Sequence, residues 1–183
     1  MARRGTAHAV RSRRAVSATV GVLGTVLLVT AWEAIGPDRP VFAVVVGMLS
    51  FGLVPFVGDA VAPHLPRWLV DAQPRERRLH RILLVPQVIS LLDAVGWNTF
   101  IGRRRGSGST REGLRAIERS TRGNIAAHGV GAGVHLVVGI ACAVGGSADV
   151  ALLVLALGAV MHVWPVLIQR AVRLRLMPLL ARL

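Results

Sequence analysis

The sequence predicts an all-α, polytopic membrane protein whose four transmembrane helices form two antiparallel hairpins. Three observations predict this fold class. Hydrophobic residues make up 53% of the chain, which is above the roughly 45–50% that is usual for a soluble domain. Long apolar stretches lack arginine, and the arginines cluster between them. Two of the segments that join the apolar stretches are very short.

The four spans follow from the length of each apolar stretch. An α-helix rises 1.5 Å per residue, so about 20 apolar residues cross about 30 Å of hydrocarbon. The connectors are so short that each pair of spans should form a hairpin, one over residues 15–62 and the other over 125–168. The stretches that reach or approach the required length are residues 15–32, continuing weakly to Ile35, then 41–62, 125–144 and 150–168.

The distribution of arginine predicts the orientation. All 22 basic residues are arginine, and the net charge is +13. They lie in a basic arm (1–14), a central segment (63–124) and a basic tail (169–183), and only Arg39 falls on the other side. Because arginine is retained on the cytoplasmic side, both termini should be cytoplasmic. The short clusters do not form a nucleic-acid-binding module, so we expect them to contact anionic lipid headgroups.

Residues 82–102 are apolar but are predicted not to cross the membrane. The stretch contains Pro86, Gln87, Asp93 and Asn98, and arginines flank both of its ends. Crossing would leave one basic flank outside, whereas irregular backbone can be satisfied at the interface. We therefore expect an interfacial or re-entrant element on the cytoplasmic face.

A short polar helix should precede the third span. Ser109 is followed three residues later by Glu112, the spacing of a capping box. Gly123 and Asn124 should break or bend this helix before the span begins.

Three histidines are predicted to meet between the third and fourth spans. His128 and His135 share one helical face, and the depth of His162 in the oppositely directed span falls between theirs. Such groups act in chemistry or as hydrogen-bonding contacts between helices, and three histidines can bind zinc. Because these spans offer no supporting carboxylate, we predict no metal and no cofactor. Gly129 and Gly133 have the GxxxG spacing that allows helices to approach closely.

Two further residues have alternative roles. Asp59 lies near the end of the second span and could act as a base or pair with an arginine. Cys142 is the only cysteine, which excludes a disulfide within the chain, and we interpret it as a small apolar filler rather than a nucleophile.

Two C-terminal stretches resemble motifs of a known family. The stretch STRGNIAAHG contains Arg122 and His128, and the stretch HVWPVLIQRAVRLRL contains His162, Gln169 and Arg170. Both resemble signatures of the bacterial glycosyl-4,4'-diaponeurosporenoate acyltransferases, which are carotenoid glycosyl acyltransferases, and of their membrane relatives. The resemblance implies a bacterial cytoplasmic membrane location and acyl transfer from a thioester donor to a glycosylated lipid or carotenoid-like acceptor in the membrane.

The same resemblance suggests roles for the matched residues. Acyl transfer needs a base and donors that hold the developing oxyanion. His128 would be the catalytic base, and Arg122, His162, Gln169 and Arg170 would bind substrate. Pro165 should loosen the fourth helix and free backbone groups to face the site.

Departures from the family pattern keep other functions open. Ile125 stands at a position usually occupied by glutamate, and Ala171 and Val172 replace a Tyr-Asn pair. A noncatalytic scaffold or lipid-binding protein is therefore the alternative to an enzyme. A third candidate is a transporter or channel subunit in which a homo-oligomer encloses the pore.

Overall fold

The protein is all-helical over residues 2–96 and 110–182, the parts that the computed structural model describes. This confirms the all-α class that the sequence predicted. A 3₁₀ turn (Ala62–His64) follows α2, and a π-helical turn (Ala159–Val163) joins α7 to α8. The helices are α1 (Ala2–Ile35), α2 (Pro40–Val61), α3 (Arg67–Val70), α4 (Glu76–Ile82), α5 (Val85–Ala94), α6 (Arg111–Val144), α7 (Ala148–Gly158) and α8 (Trp164–Leu180).

Four helical stretches are long and apolar enough to cross a membrane, as the sequence predicted. Many large hydrophobic side chains on these helices face outward, as expected for helices surrounded by lipid. Their insertion as two membrane hairpins stays a prediction. The stretches are Ala15–Ile35, Pro40–His64, Arg111–Val144 and Ala148–Leu180.

Tight turns join the long helices in pairs. Gly36 and Gly146 have φ angles of 91° and 88°, a region that favours glycine because it has no Cβ. The first turn brings the Trp32 ring edge-on to Phe42, with ring centroids 5.6 Å apart. Further from the turn, the Ser17 hydroxyl of α1 donates to the Phe56 carbonyl of α2 at 2.6 Å, so the two helices pack antiparallel.

The polar helix predicted before the third span and the span itself form one continuous helix, α6. Thr110 caps it, with its Oγ1 accepting a hydrogen bond from the Gly113 amide at 3.0 Å. The predicted cap, Ser109, lies outside the described residues. The break predicted at Gly123 and Asn124 is wrong, because both residues are helical.

Close packing explains the glycine at position 58. A Cβ on Gly58 of α2 would overlap the Gly123 carbonyl oxygen, so the two helices approach closely there. The approach predicted at Gly129 and Gly133 is wrong, because a Cβ at either position would meet nothing within 4 Å. Gly131 makes the close contact instead, with the His162 ring. It lies two residues from both Gly129 and Gly133, and two residues correspond to a rotation of about 200° around the helix axis, so it points to the opposite side of α6.

The apolar stretch of residues 82–102 begins where α4 ends and contains α5 among its described residues. Leu84, with φ of 55°, separates α4 from α5. At 10 residues, α5 is too short to cross a membrane. Residues 97–102, with Asn98, lie outside the described residues, and the interfacial or re-entrant placement stays a prediction.

The side chains buried between the long helices change from apolar to polar along the length of the helices. An apolar cluster lies near the two tight turns and includes Phe42, Val46, Cys142 and Val154. The buried histidines follow along the helices, and paired arginines lie beyond them. The polar groups that could carry chemistry are therefore concentrated away from the turns.

Candidate functional site

The three histidines predicted to meet do lie together, between α6 and the π-helical turn. The ring centroids of His128 and His162 are 5.4 Å apart, and those of His135 and His162 are 5.0 Å apart. The Nδ1 atoms of His128 and His162 are within hydrogen-bonding distance at 3.2 Å. His162 is fully buried and lies at the centre of the group.

A serine from α2 extends this group into a hydrogen-bonded chain. The Nε2 of His162 lies 2.9 Å from the Oγ of Ser50. The same hydroxyl group donates to the Gly47 carbonyl at 3.0 Å. The chain Ser50–His162–His128, which we call the relay, therefore joins α2, the π-helical turn and α6.

The hydrogen-bond partners assign the protons along the relay. Ser50 has one proton, and the Gly47 carbonyl can only accept, so Ser50 accepts from the Nε2–H of His162. A neutral imidazole carries one N–H, so the Nδ1 of His162 accepts from the Nδ1–H of His128. The Nε2 of His128 then carries a lone pair and can accept a proton.

His135 packs beside the relay and is not hydrogen-bonded to it. Its Nδ1 donates to the Gly131 carbonyl at 3.0 Å, which leaves a lone pair on Nε2. That Nε2 atom is buried and has no hydrogen-bond partner in the structure. Small residues make room for the rings, since a Cβ on Gly131 would overlap His162 and one on Gly158 would press against His135.

The π-helical turn places His162 against α6, and Pro165 lies directly after that turn. Proline has no N–H to give the Met161 carbonyl four residues earlier. The Met161 carbonyl instead faces the His128 ring. Helix loosening near Pro165 was predicted, and here it coincides with a backbone group that faces the relay.

The imidazole group does not form a recognisable metal site. Among the residues that the structure describes, no group of three or more His, Cys, Asp or Glu side chains is arranged to hold a metal ion. In the relay, the Nδ1 of His162 points to another imidazole and its Nε2 points to a hydroxyl group. Both nitrogens of the central ring are thus already used.

An apolar cavity of about 240 Å³ opens beside the relay, between α1, α2 and α6. Ser50 and Thr25 contribute hydroxyl groups to a lining that is otherwise made of aliphatic residues and glycine. The volume is slightly below the roughly 300–1,000 Å³ of typical small-molecule pockets, so it suits one slender apolar chain. Residues lining it include Val20, Leu28, Leu53 and Val134.

Two of the predicted substrate-binding residues lie away from this cavity. Arg122 is half-buried, and its Nε donates to the Ala62 carbonyl at 3.2 Å. Gln169 follows His162 by seven residues, about 10 Å along a helix, and its Oε1 is buried without a hydrogen-bond partner. Neither residue is part of the cavity lining. Their roles in substrate binding stay predictions.

Arg170 is occupied by protein partners. Its Nε and Nη2 donate to the two carboxylate oxygens of Glu76 at 2.8 and 2.7 Å. Its Nη1 also donates to the Leu69 carbonyl. The hydrogen bond from Arg170 holds the pKa of the Glu76 carboxyl below its usual value, although burial partly opposes this. A substrate would have to displace these contacts, and the substrate-binding role of Arg170 stays a prediction.

Arg173, one turn further along α8, is also used internally. It is only 2% exposed, and its Nη2 donates to the Asp71 carboxylate at 2.9 Å. Its Nη1 lies 3.6 Å from the Glu118 carboxylate and 3.4 Å from the Thr121 hydroxyl oxygen. Arg170 and Arg173 therefore connect α8 to Asp71, to the start of α4 and to the N-terminal part of α6.

The residues of both C-terminal motifs thus form one connected structure. The family model for glycosyl-4,4'-diaponeurosporenoate acyltransferase matches residues 66–182, which is more than half of the chain. The chain belongs to the glycosyl-4,4'-diaponeurosporenoate acyltransferase family. This confirms the membership that the motifs indicated. No curated protein and no solved structure matches the chain.

The acyltransferase match extends beyond the stretches that suggested it. It begins before α3 and includes Asp71 and Glu76, the partners of Arg173 and Arg170. Ile125, at the position where family members usually have glutamate, is buried in α6. The arginine pairs are thus part of the matched region, whereas Ser50 and most of the cavity lining precede it.

Sequence reasoning missed Ser50, although a signal was present. It is the only polar residue between Val41 and Gly58, within an otherwise apolar span. A lone hydroxyl group near the middle of a membrane helix usually has a hydrogen-bond partner. That partner, His162, lies 112 residues later, and no local pattern could identify it.

Proposed function

We propose that this chain is an integral protein of the bacterial cytoplasmic membrane that transfers an acyl group from a thioester to a hydroxyl group of a membrane-embedded acceptor. The acceptor would be a glycosylated lipid or a carotenoid-like glycoside. Family membership supports the reaction class, and the four long apolar helices support the location. The observation that carries the proposal is the relay Ser50–His162–His128.

The relay suits His128 for the role of general base. In the proposed reaction, the Nε2 of His128 takes the proton of the acceptor hydroxyl as its oxygen attacks the thioester carbonyl carbon. The imidazolium that forms is stabilised by an acceptor already in contact with the ring, the Nδ1 of His162. Ser50 holds His162 in the tautomer that this requires.

The proposed acyl transfer needs no cofactor, because every bond and proton is accounted for by the two substrates and His128. The new C–O bond forms as the hydroxyl oxygen adds, and the C–S bond breaks as the tetrahedral intermediate collapses. The thiolate leaves and takes up the proton held by His128. The oxyanion needs hydrogen-bond donors. We assign Arg122 and the amide of Gln169 either to that role or to binding the acyl thioester.

The apolar cavity supports a lipid-like substrate. Its wall is almost entirely hydrocarbon, and Ser50 of the relay forms part of it. A slender chain in this cavity would place the polar end of the same molecule near the relay. We propose that it holds either the acyl chain or the apolar part of the acceptor.

The proposed orientation places both termini in the cytoplasm and the two tight turns outside. It rests on the arginines of the arm, the central segment and the tail. Reporter fusions at residues 36–39, at residues 145–147 and at the C-terminus would test it. Finding the turns and the tail in one compartment would contradict the orientation.

A transfer assay would test the enzymatic proposal directly. Purified protein in nanodiscs would receive a radiolabelled acyl thioester and a lipid extract that contains glycosylated acceptors. We expect His128→Ala to lower the transfer rate by about 10²-fold or more. His64→Ala is the matched control, because His64 is an exposed histidine outside the relay.

Unchanged transfer by His128→Ala would remove the base assignment. Absence of any transfer by the unsubstituted protein, with cells lacking the protein showing an unaltered lipid profile, would favour a noncatalytic lipid-binding scaffold. Loss of one acylated lipid from those cells would support the enzyme and identify its product.

A further inference from the structure

A second cavity, of about 270 Å³, lies on the arginine-rich side of the protein, between α4, the start of α5 and α8. It is separate from the apolar cavity beside the relay and shares no lining residue with it. We call it the basic crevice. Its lining includes Arg77, His80, Arg81, Val85, Leu174 and Arg175.

The charge of the basic crevice is entirely positive. Arg77 and Arg81 are four residues apart on one face of α4, and Arg175 approaches from α8. None of the residues that line the crevice is acidic. Glu76, the nearest carboxylate along α4, is already bonded through both oxygens to Arg170. Three guanidinium groups around one space repel each other, and an anion between them would remove that repulsion.

A buried histidine in the lining supplies a second and independent observation. His80 is only 5% exposed, and its Nε2 has no hydrogen-bond partner. Glu76 lies 3.9 Å from this nitrogen, which is too far for a hydrogen bond. An unsatisfied buried polar atom is costly, so a rotation of the His80 ring that brings this nitrogen to a ligand oxygen in the crevice would be favourable.

The chemistry of the crevice selects a particular anion. Guanidinium groups match the paired oxygens of a phosphate, and several of them can bind one phosphate at once. Val85, Ile89 and Leu174 give the same crevice an apolar side. A ligand that fits both sides carries a phosphate group next to an apolar segment.

We propose that the basic crevice is a binding site for the phosphate group of an amphiphilic ligand, held by Arg77, Arg81, Arg175 and His80. Two sources share this chemistry, namely an anionic phospholipid of the bilayer and the nucleotide part of a thioester donor. The site does not depend on the acyl-transfer reaction, because it is built from different residues.

Binding to the purified full-length protein in phosphatidylcholine nanodiscs would test the site. One arm titrates coenzyme A and follows the heat of binding. The other arm adds phosphatidylglycerol to the nanodiscs and counts retained lipid by native mass spectrometry. Binding of either probe supports the site, and which probe binds identifies the source of the phosphate.

Two variants of different kinds would probe the crevice. Arg81→Gln combined with Arg175→Gln removes two of its charges, and Ala171→Trp fills it from the α8 wall without changing charge. Arg78→Gln is the matched control, because Arg78 is an exposed arginine of α4 that does not line the crevice. Circular dichroism would establish that each variant is folded.

We expect the double variant and Ala171→Trp each to weaken binding of the responding probe about tenfold or more, while Arg78→Gln changes it less than about twofold. Equal weakening by Arg78→Gln and the double variant would indicate attraction to surface charge and overturn the proposal. Absence of binding by both probes would overturn it as well.

Discussion

Arg170 holds Glu76 through two parallel hydrogen bonds, at 2.8 and 2.7 Å, across 94 residues of sequence. Both side chains are largely shielded from water, with 12% and 17% of their surface exposed. Two-point contacts between a guanidinium and a carboxylate fix geometry as well as charge. The pair therefore sets the position of α4 relative to α8, and with it the width of the basic crevice.

Glu76→Gln should destabilise the folded protein. The substitution removes the charge that Arg170 contacts, while the backbone carbonyl partners of Arg170 remain. We expect a loss of about 2 kcal/mol in the free energy of unfolding, as is typical for a hydrogen bond to a charged group. Denaturant titration in detergent would measure it. Glu33→Gln, at an exposed glutamate, is the control, and equal effects of the two substitutions would contradict the role of the pair.

Acidification should weaken the same region. Burial, aided by the positive charge of Arg170, lowers the pKa of His80 below 6.5, although Glu76 partly opposes this. The hydrogen bond from Arg170 lowers the pKa of Glu76 below 4.5. In both cases the unfolded chain binds a proton more readily than the folded chain, so stability falls as the pH decreases.

The loss should begin as the pH falls below 6.5, from His80, and continue below 4.5, from Glu76. Thermal unfolding in detergent from about pH 8 to about pH 3 would measure the loss across both ranges. His80→Gln should flatten the upper part of the profile only. A melting temperature that does not change below pH 6.5 would contradict the prediction for His80.

Gly131→Ala should disrupt the relay. Its Cβ would overlap the His162 ring, so the ring must move and its contact with His128 is lost. We expect destabilisation of about 1–3 kcal/mol, the usual cost of overpacking, together with reduced acyl transfer. Gly129→Ala is the control, because its Cβ meets nothing within 4 Å and alanine favours a helix. A more stable Gly131→Ala protein would contradict the observed packing.

Thr110→Ala should loosen the first turn of α6. The Thr110 side chain satisfies the Gly113 amide, which otherwise has no partner within the helix. Loss of such a cap costs about 1 kcal/mol. Hydrogen exchange at Gly113 should therefore become faster, while exchange in the middle of α6 stays the same. Thr30→Ala, which removes a hydroxyl bonded within its own helix, is the control and should leave exchange at Gly113 unchanged.

Much of the fold could be predicted because membrane helices have a strong local signal. Long apolar stretches located all four candidate spans to within a few residues, except where helices continue beyond the apolar part. Helix α6 starts 14 residues before its predicted span, because the polar helix predicted separately, with Glu112 and Arg115, joins the span without a break. Hydropathy alone does not detect that the two helices are continuous.

The site was only partly predictable. Helical spacing and depth brought His128, His135 and His162 together correctly, since both quantities follow from 1.5 Å per residue. The GxxxG spacing gave a wrong prediction, because it identifies one face of a helix but not what packs against that face. Gly131, and not Gly129, lies against the His162 ring. The pairing of Arg170 with Glu76 joins distant parts of the chain, and composition does not indicate such a contact.

The unbroken course of α6 has a mechanical consequence. Its 34 residues span about 51 Å, so about 20 Å of it should project beyond a hydrocarbon layer of about 30 Å. The helix acts as a stiff lever, because every turn is braced by its own hydrogen bonds. We therefore expect a displacement of Glu118 or Thr121 to be transmitted to His128, which lies about two to three turns away in the same helix.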